Sequence, residues 1–377
     1  GDNSLFEVHD VRRAGEYVLH IGRHVKGTLS VGEHVQMILH RSRRDAIRSN
    51  HTATHLLNHA LREVLTDEEI EQRGSLVADD RLRFDFSCGR GLTPEEIEQV
   101  ESAVNHVIGA DDTVYAELVP LEKAQQINGV RAVFGERYPD PVRVVSIGVP
   151  VHDLLATPAS PRWMKHSIEF CGGTHLASCG ESKHFVITQE TALAAGVRRI
   201  MGLTGAAAIA AETAGRNLLA RVNDARSMTG DDLIETVEEV AQLVDEIPIS
   251  LTIRNHVREA LEPLRETVKA LKKQANAASR DAVVEQARDL AAGHAGPVLV
   301  ARVDGADRDS LMNAMDVLRA KHPEAASMLF TADEDDGKVT IVAAVPKALI
   351  GKGLKAGDWV KLAAGVCGGG GGGRPDM

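Results

Sequence analysis

Two short stretches, far apart in the chain, carry the residue types that bind metal. His51-Thr52-Ala53-Thr54-His55 sets two imidazoles at i and i+4, on one face of a helix. Cys171-Gly172-Gly173-Thr174-His175 offers a thiolate and another imidazole, and the glycine pair lets the backbone turn tightly between them. A helix pair and a strand-to-loop pair together make a tetrahedral site, and sulfur with imidazole nitrogen selects zinc over calcium or magnesium. Either half alone reads as solvated or packed side chains; the conjunction gives the reading its weight. Cys179 stays open as an alternative to Cys171, although Cys171 and His175 give the tighter bite. Thr52 stands where an H-E-x-x-H peptidase needs its general-base glutamate, which excludes that chemistry. His59 extends the i+4 series toward the outer edge of the helix, and Cys88 and Cys367 have no metal-spaced neighbour and read as structural.

Positioning such a site takes a helix and a sheet. Ser49 and Asn50 are good N-cap residues and predict a helix from His51 to about Leu65. Thr93-Pro94-Glu95-Glu96 is a capping box with proline in the first turn, predicting a helix to about Ile108. Strands are expected at 74–77, 81–86, 112–119, 142–147, 166–171, 184–189 and 197–203. Before the first helix, residues 5–40 alternate apolar and polar positions between glycines, with strands at Tyr17–Ile21 and His34–Leu39. Prolines 150, 158 and 161 make the run from Val149 to Pro161 a loop and a candidate lid over the approach to Cys171. Ala-rich helical spacing then fills 206–246 and 252–292, broken by Pro248, as an antiparallel hairpin acting as spacer. Strands at Val298–Ala301 and Val339–Val345, with helices near 308–321 and 346–354, form a small α/β domain that ends in six glycines, Gly368 to Gly373. The expected organisation is a part β-barrel at 1–48, an α+β domain at 49–204, a long helical hairpin at 205–292 and an α/β domain at 293–377.

Composition narrows the function. The 377 residues hold 43 Lys plus Arg against 54 Asp plus Glu, a net charge of −11, which argues against indiscriminate nucleic-acid binding. Aromatic residues are 3% of the chain, too few for a surface built on base stacking. Four cysteines in such a length make no disulfide framework and fit metal chemistry in a reducing compartment, here the cytoplasm. No stretch approaches the ~20 apolar residues of a membrane span, so no membrane partner is expected. The opening Gly1-Asp2 without a methionine suggests an excised fragment.

The motifs also have a recognisable order. His51 to His55, Gln72-Arg73-Gly74-Ser75-Leu76-Val77, Arg81-Leu82-Arg83-Phe84-Asp85-Phe86, Phe170 to His175 and Ala195-Gly196-Val197-Arg198-Arg199-Ile200 resemble the editing domain of the alanyl-tRNA synthetases. The ending from Gly368 resembles the glycine-rich signature of their C-terminal domain, shared with DHH-type phosphoesterases. The resemblance implies hydrolysis of the ester that joins a wrong amino acid, serine or glycine, to alanine tRNA. By position, it makes His51, His55, Cys171 and His175 zinc ligands and places Thr54, Gln72 and Arg198 in the editing pocket; their bland alternatives are a helix hydroxyl, a turn amide and a paired surface arginine.

A pocket that hydrogen-bonds a serine hydroxyl, through Thr54, can reject alanine by about 10⁴-fold or more, because alanine leaves its polar groups unpaired. Zinc either polarises a water or holds the amino group of the amino acid. Four protein ligands would close the shell, so either one of them, His175, is expected to be weak or displaceable, or the metal becomes five-coordinate. The tRNA contacts are expected from Arg41, Arg43, Arg44 and Arg48 before the zinc helix, and from Lys269, Lys272, Lys273, Lys352, Lys355 and Arg374 later, with a solvated face as the alternative for each run. The resemblance also carries a homodimer through the C-terminal region, and it places the aminoacylation core before Gly1. A tRNA-binding module with structural zinc is the competing class. Phosphoesterase activity is disfavoured, since no Asp-His-His motif occurs.

Overall fold

In a computed structural model, which describes residues 4–133, 136–333 and 337–377, the chain forms two compact units. The first comprises Gly1–Leu218 with Val244–His256, the second Leu219–Leu243 with Val257–Met377. The architecture is α+β, with four separate sheets among the described residues and a 42-residue helix.

The first unit opens on an antiparallel hairpin of β1 (Leu5–Ala14) and β2 (Tyr17–Lys26). Its alternating apolar residues are exposed on both faces, Val11 at 53% on one and Leu19 at 47% on the other, so the expected part barrel is a two-stranded ribbon and no barrel closes among the described residues. His34–Leu39 is not a strand: among the described residues it has no partner edge to satisfy its backbone groups.

Helix α1 (Arg41–Val64) starts ten residues before the expected His51. Its N-cap is His40, whose Nδ1 accepts from Arg43 N. Ser49 and Asn50 do not cap; they are buried within the helix and bond tertiary partners. Ser49 Oγ donates to Thr204 Oγ1 at 2.8 Å, and Asn50 Nδ2 donates to Ala78 O at 2.9 Å. Capping residues can thus serve a buried polar network instead, which propensity alone does not distinguish.

Next come β3 (Gln72–Val77), β4 (Leu82–Ser87) and α2 (Pro94–Ala110), the last with the expected capping box at Thr93 and Glu96. A second sheet, in the order given by the ladder, is antiparallel throughout: β5 (Val114–Val119), then, after the short α3 (Leu121–Ala124), β6 (Val142–Ile147), and, after α4 (Val151–Ala156), β7 (Ile168–Phe170). The run from Val149 to Pro161 is not a lid. It contains α4, and its Val151 and Leu154 are fully buried beside Trp163 and Phe170 in the core of that sheet.

Strands β8 (Phe185–Ala194) and β9 (Val197–Thr204) complete the larger sheet, ordered β3-β4-β9-β8. One face of this sheet is covered by apolar side chains of α1 and α2: Leu57 and Leu61 pack with Phe84, Phe86, Ile200 and Val104. That packing fixes the rotation of α1, and so the direction in which its histidines lie.

The helical region is three helices where a hairpin of two was expected: α5 (Gly205–Ala225), α6 (Gly230–Glu246) and α7 (Leu251–Ala292). Gly230 has φ of 62°, a conformation open to glycine, and marks the additional break. The second unit holds a three-stranded sheet of β10 (Val298–Arg302), β11 (Ala326–Asp333) and β12 (Lys338–Ala344), with α8 (Arg308–Lys321) before β11 and α9 (Lys347–Ile350) and α10 (Ala356–Val366) after β12. Strand β10 pairs parallel to β11, and β11 antiparallel to β12. The tail after the glycine run folds back on α10: Ala356 N donates to Pro375 O and Gly357 N to Arg374 O.

Candidate metal centre

Helix α1 carries His51 and His55 one turn apart, and the turn after β7 carries Cys171 and His175. These four residues place one donor atom each so that all lie within 4.8 Å of one another. Cys171 Sγ is 3.4 Å from His51 Nε2 and 3.4 Å from His175 Nε2. Zinc bonds of 2.0–2.3 Å at tetrahedral angles separate a sulfur and a nitrogen ligand by about 3.5 Å, so the spacing fits. The three rings pack closely, with centroids 4.1 Å apart for His51 and His175 and 4.4 Å for His55 and His175.

The glycine pair divides in role. A Cβ on Gly173 would lie 2.2 Å from His51 Cε1, whereas one on Gly172 would meet nothing within 4 Å. Gly173 is there for space.

Around the donors lies a layer of directed bonds. His51 Nδ1 is 3.2 Å from Thr174 O, and His175 Nδ1 is 3.1 Å from Thr52 Oγ1, which also accepts from Leu176 N. Arg143 Nη1 donates to Cys171 O at 2.8 Å and to Gly173 O at 2.7 Å, clamping the turn. Arg48, grouped with the tRNA-facing arginines by sequence, instead donates through Nε to His175 O at 2.5 Å. His55 Nε2 faces Glu169 Oε2 at 3.5 Å, while His55 Nδ1 is buried with no partner.

Burial sets the protonation. It pushes His51 down and His55 well below the ordinary imidazole range; His175 is lowered too, by burial and then by the two neighbouring rings. Burial pushes the Cys171 thiol up, and Glu169 up to about 7. The cluster is therefore three neutral imidazoles and a thiol, the donor set a soft divalent ion takes after displacing one proton. With an orphaned buried nitrogen and the sulfur spacing above, these residues fit zinc.

His175, expected to be the displaceable ligand, is 8% exposed and held through both its ring and its carbonyl. His51 is the more open of the three histidines. Cys179 does not compete: it is buried outside the cluster, its thiol pushed up to about 12 by burial. His59 pairs with Glu63 at 3.5 Å.

The other candidates are not gathered in this way. Thr54 is buried, and its hydroxyl donates to Asn50 O at 2.8 Å. Gln72 Nε2 donates to Ser75 Oγ at 3.1 Å. Arg198 is bidentate to Glu190 at 2.5 and 2.7 Å. The ladder does relate the last two, since Gln72 and Arg198 both lie opposite Phe86.

Arg41 and Arg43 are exposed in the first turn of α1, Arg43 within 3.2 Å of Asp79, and Arg44 is half-buried. Lys352 and Lys355 are exposed before α10, and Arg374 is exposed in the tail. Lys272 pairs with Glu238 and Lys269 with Glu266.

Sequence reasoning missed Glu169, Asn58, Thr52 and Arg143. Strand alternation puts Glu169 and Cys171 on the same side, which was a usable signal. Asn58 lies three residues after His55, so helix spacing could have found it. Arg143 comes from another strand and had no local signature.

Residues 142–201 match the second additional domain of threonyl and alanyl tRNA synthetases, and residues 295–377 match the DHHA1 domain. The cytoplasmic alanine–tRNA ligase of Dictyostelium discoideum is 40% identical over 381 residues, covering 99% of this chain and 40% of that protein. The alanine–tRNA ligase of Saccharophagus degradans is 37% identical over 376 residues, covering 100% of this chain and 38% of that protein. The mitochondrial alanine–tRNA ligase of Saccharomyces cerevisiae is 40% identical over 268 residues, covering 71% and 27%. The chain thus spans about 40% of the length of the first of these relatives.

Proposed function

The chain belongs with the alanine–tRNA ligases, as a stretch carrying their second additional domain and a DHHA1 domain, and from that premise we propose that it hydrolyses serine or glycine esters of alanine tRNA. The observation that carries this reading is the convergence of His51, His55, Cys171 and His175 on one point. That point is built partly from the matched domain, which supplies Cys171 and His175.

An aminoacyl ester is already activated, so its hydrolysis asks for orientation and charge stabilisation more than for a strong leaving-group acid. Zinc held by His51, His55, Cys171 and His175 would have a closed shell, so it would supply a Lewis acid at the ester or a hold on the amino group only where one donor, with His51 the most open histidine, gave way. The chain's own residues do the rest. Arg143 and Arg48 fix the turn that carries Cys171 and His175 by binding its carbonyls. The first turn of α1 carries Arg41, Arg43 and Arg44 and no acid, so its side chains and helix dipole add up to a positive field for tRNA phosphates. Thr54 already donates its hydroxyl proton to Asn50 O, which leaves it an acceptor for a serine hydroxyl. Gln72 and Arg198 belong to the proposed pocket only if they exchange their present partners for substrate. Lys352, Lys355 and Arg374 serve the tRNA body.

A second reading, a tRNA-binding module with a structural zinc, is favoured by one observation: Thr54, Gln72 and Arg198 are each engaged within the chain. One experiment separates the two. The intact chain and Cys171→Ala are incubated with Ser-tRNA and Ala-tRNA of the alanine type, and ester loss is followed. Selective loss of serine that the variant abolishes supports hydrolysis; binding without ester loss supports the module. Among the described residues no helix is long and apolar enough to cross a membrane. The cytoplasm is the proposed compartment, in keeping with four free cysteines.

A further inference from the structure

The three histidines of the centre are not presented alike. His51 and His175 turn Nε2 toward Cys171 and rest Nδ1 on an oxygen, Thr174 O for one and Thr52 Oγ1 for the other. His55 is reversed. Its Nε2 faces the carboxylate of Glu169 at 3.5 Å, and its Nδ1 is the buried nitrogen without a partner.

We propose that Glu169 is a positioning residue that fixes the tautomer and ring orientation of His55, so that His55 presents Nδ1 to the metal while the other two histidines present Nε2. The inference rests on the metal-centre reading above.

The two tautomers of His55 differ sharply in cost. With the proton on Nδ1, a donor is buried with nothing to receive it, and a lone pair faces a carboxylate. With the proton on Nε2, the N–H lies beside the Glu169 carboxylate at 3.5 Å and Nδ1 keeps a free lone pair for a ligand bond. The 3.5 Å separation is an electrostatic contact rather than a formed hydrogen bond, and Nδ1 has no hydrogen-bond partner among the described residues.

Glu169 is itself held. Its side chain is 13% exposed, and Oε1 accepts from Asn58 Nδ2 at 2.8 Å. Asn58 is buried, and its Oδ1 has no partner, so its one hydrogen bond is to this carboxylate. Helix α1 thereby supplies both the histidine and the amide that steadies its orienting group. Strand β7 supplies Glu169 two residues before Cys171. Carboxylates in this position raise the basicity of a metal-binding histidine as well as fixing its ring.

The test uses the full chain and zinc alone, with affinity measured by competition against a chromophoric chelator. Glu169→Gln keeps the size and the acceptor for Asn58 but loses the charge. Zinc affinity is expected to fall about 10–100-fold, with a shifted visible spectrum of the cobalt(II)-substituted protein, since that spectrum reports the ligand field. Wild-type zinc binding with Glu169→Gln within about twofold and an unchanged cobalt spectrum overturns the positioning role; so does a variant whose metal-free form melts earlier while affinity holds, since that is structural support only. A wild-type chain that takes up no zinc overturns the metal centre and this inference together. If Glu169→Gln does not fold, Asn58→Ala decides. Weakening by about threefold or more sustains the inference, and affinity within about twofold of wild type ends it.

Discussion

In the first unit every donor of the candidate centre leans on a second group. His51 has Thr174 O, His175 has Thr52, His55 has Glu169, and the backbone of the Cys171 turn has Arg143. In the second unit the candidate tRNA residues Lys352, Lys355 and Arg374 are exposed, on the segments flanking α10. The contrast follows from the two chemistries. A metal ligand must be placed to within a few tenths of an ångström and in one protonation state, which takes buried, directed neighbours. A phosphate contact works through charge over a Debye length of about 8 Å and gains little from a fixed rotamer. The first region should therefore answer to proton concentration and to single-residue change, and the second to salt and to the sum of its charges.

The largest effect is expected from Cys171→Ala. Removing one of four ligands forfeits about a quarter of the roughly 10–16 kcal/mol a structural zinc site gains, or a several-hundredfold loss of affinity in chelator competition. Zinc bound as tightly by the variant would break the comparison at its root. Next is pH. Burial has pushed the three imidazoles down and the thiol up, so among the four donors only Cys171 holds a proton near neutrality that the metal must displace. Affinity should rise with pH, about tenfold per unit from pH 6 to 8, with one proton released per zinc in paired-buffer calorimetry; a flat profile would mean the thiolate is preformed. Arg143→Met comes third. It removes two bonds from the turn without touching a donor and should weaken zinc about tenfold; an unchanged constant would show that the turn holds itself. The smallest effects belong to Lys352→Ala, Lys355→Ala and Arg374→Ala. Each should weaken tRNA binding about threefold at moderate salt and lower the salt slope by about 1, and a tenfold loss from any one would mean that it is anchored after all.

The same contrast decides what could be read from sequence. The four donors were legible because ligand chemistry restricts residue type and helical or turn spacing restricts position. Both glycines beside Cys171 were legible as a turn, but only coordinates reveal that Gly173 alone is sterically required. The start of α1 was misplaced because Ser49 and Asn50 satisfy partners 28 to 155 residues away, and no local pattern encodes those. Strand β11 was missed because it lies between β10 and β12 and buries both faces, so it shows an apolar run in place of alternation. His34–Leu39 failed the other way, with alternation and no partner edge. For Thr54, Gln72 and Arg198 sequence gave position in a resemblance and nothing about their present bonds.

Gly173 carries one further consequence. Because a single methyl group there would lie 2.2 Å from His51 Cε1, Gly173→Ala yields a chain with every donor, every orienting group and the same net charge, but one in which the His51 ring must move. Composition and arrangement, which vary together in any ligand substitution, come apart at that position. A chemist wishing to know how much of the metal affinity belongs to the atoms and how much to their placement has one residue at which to ask.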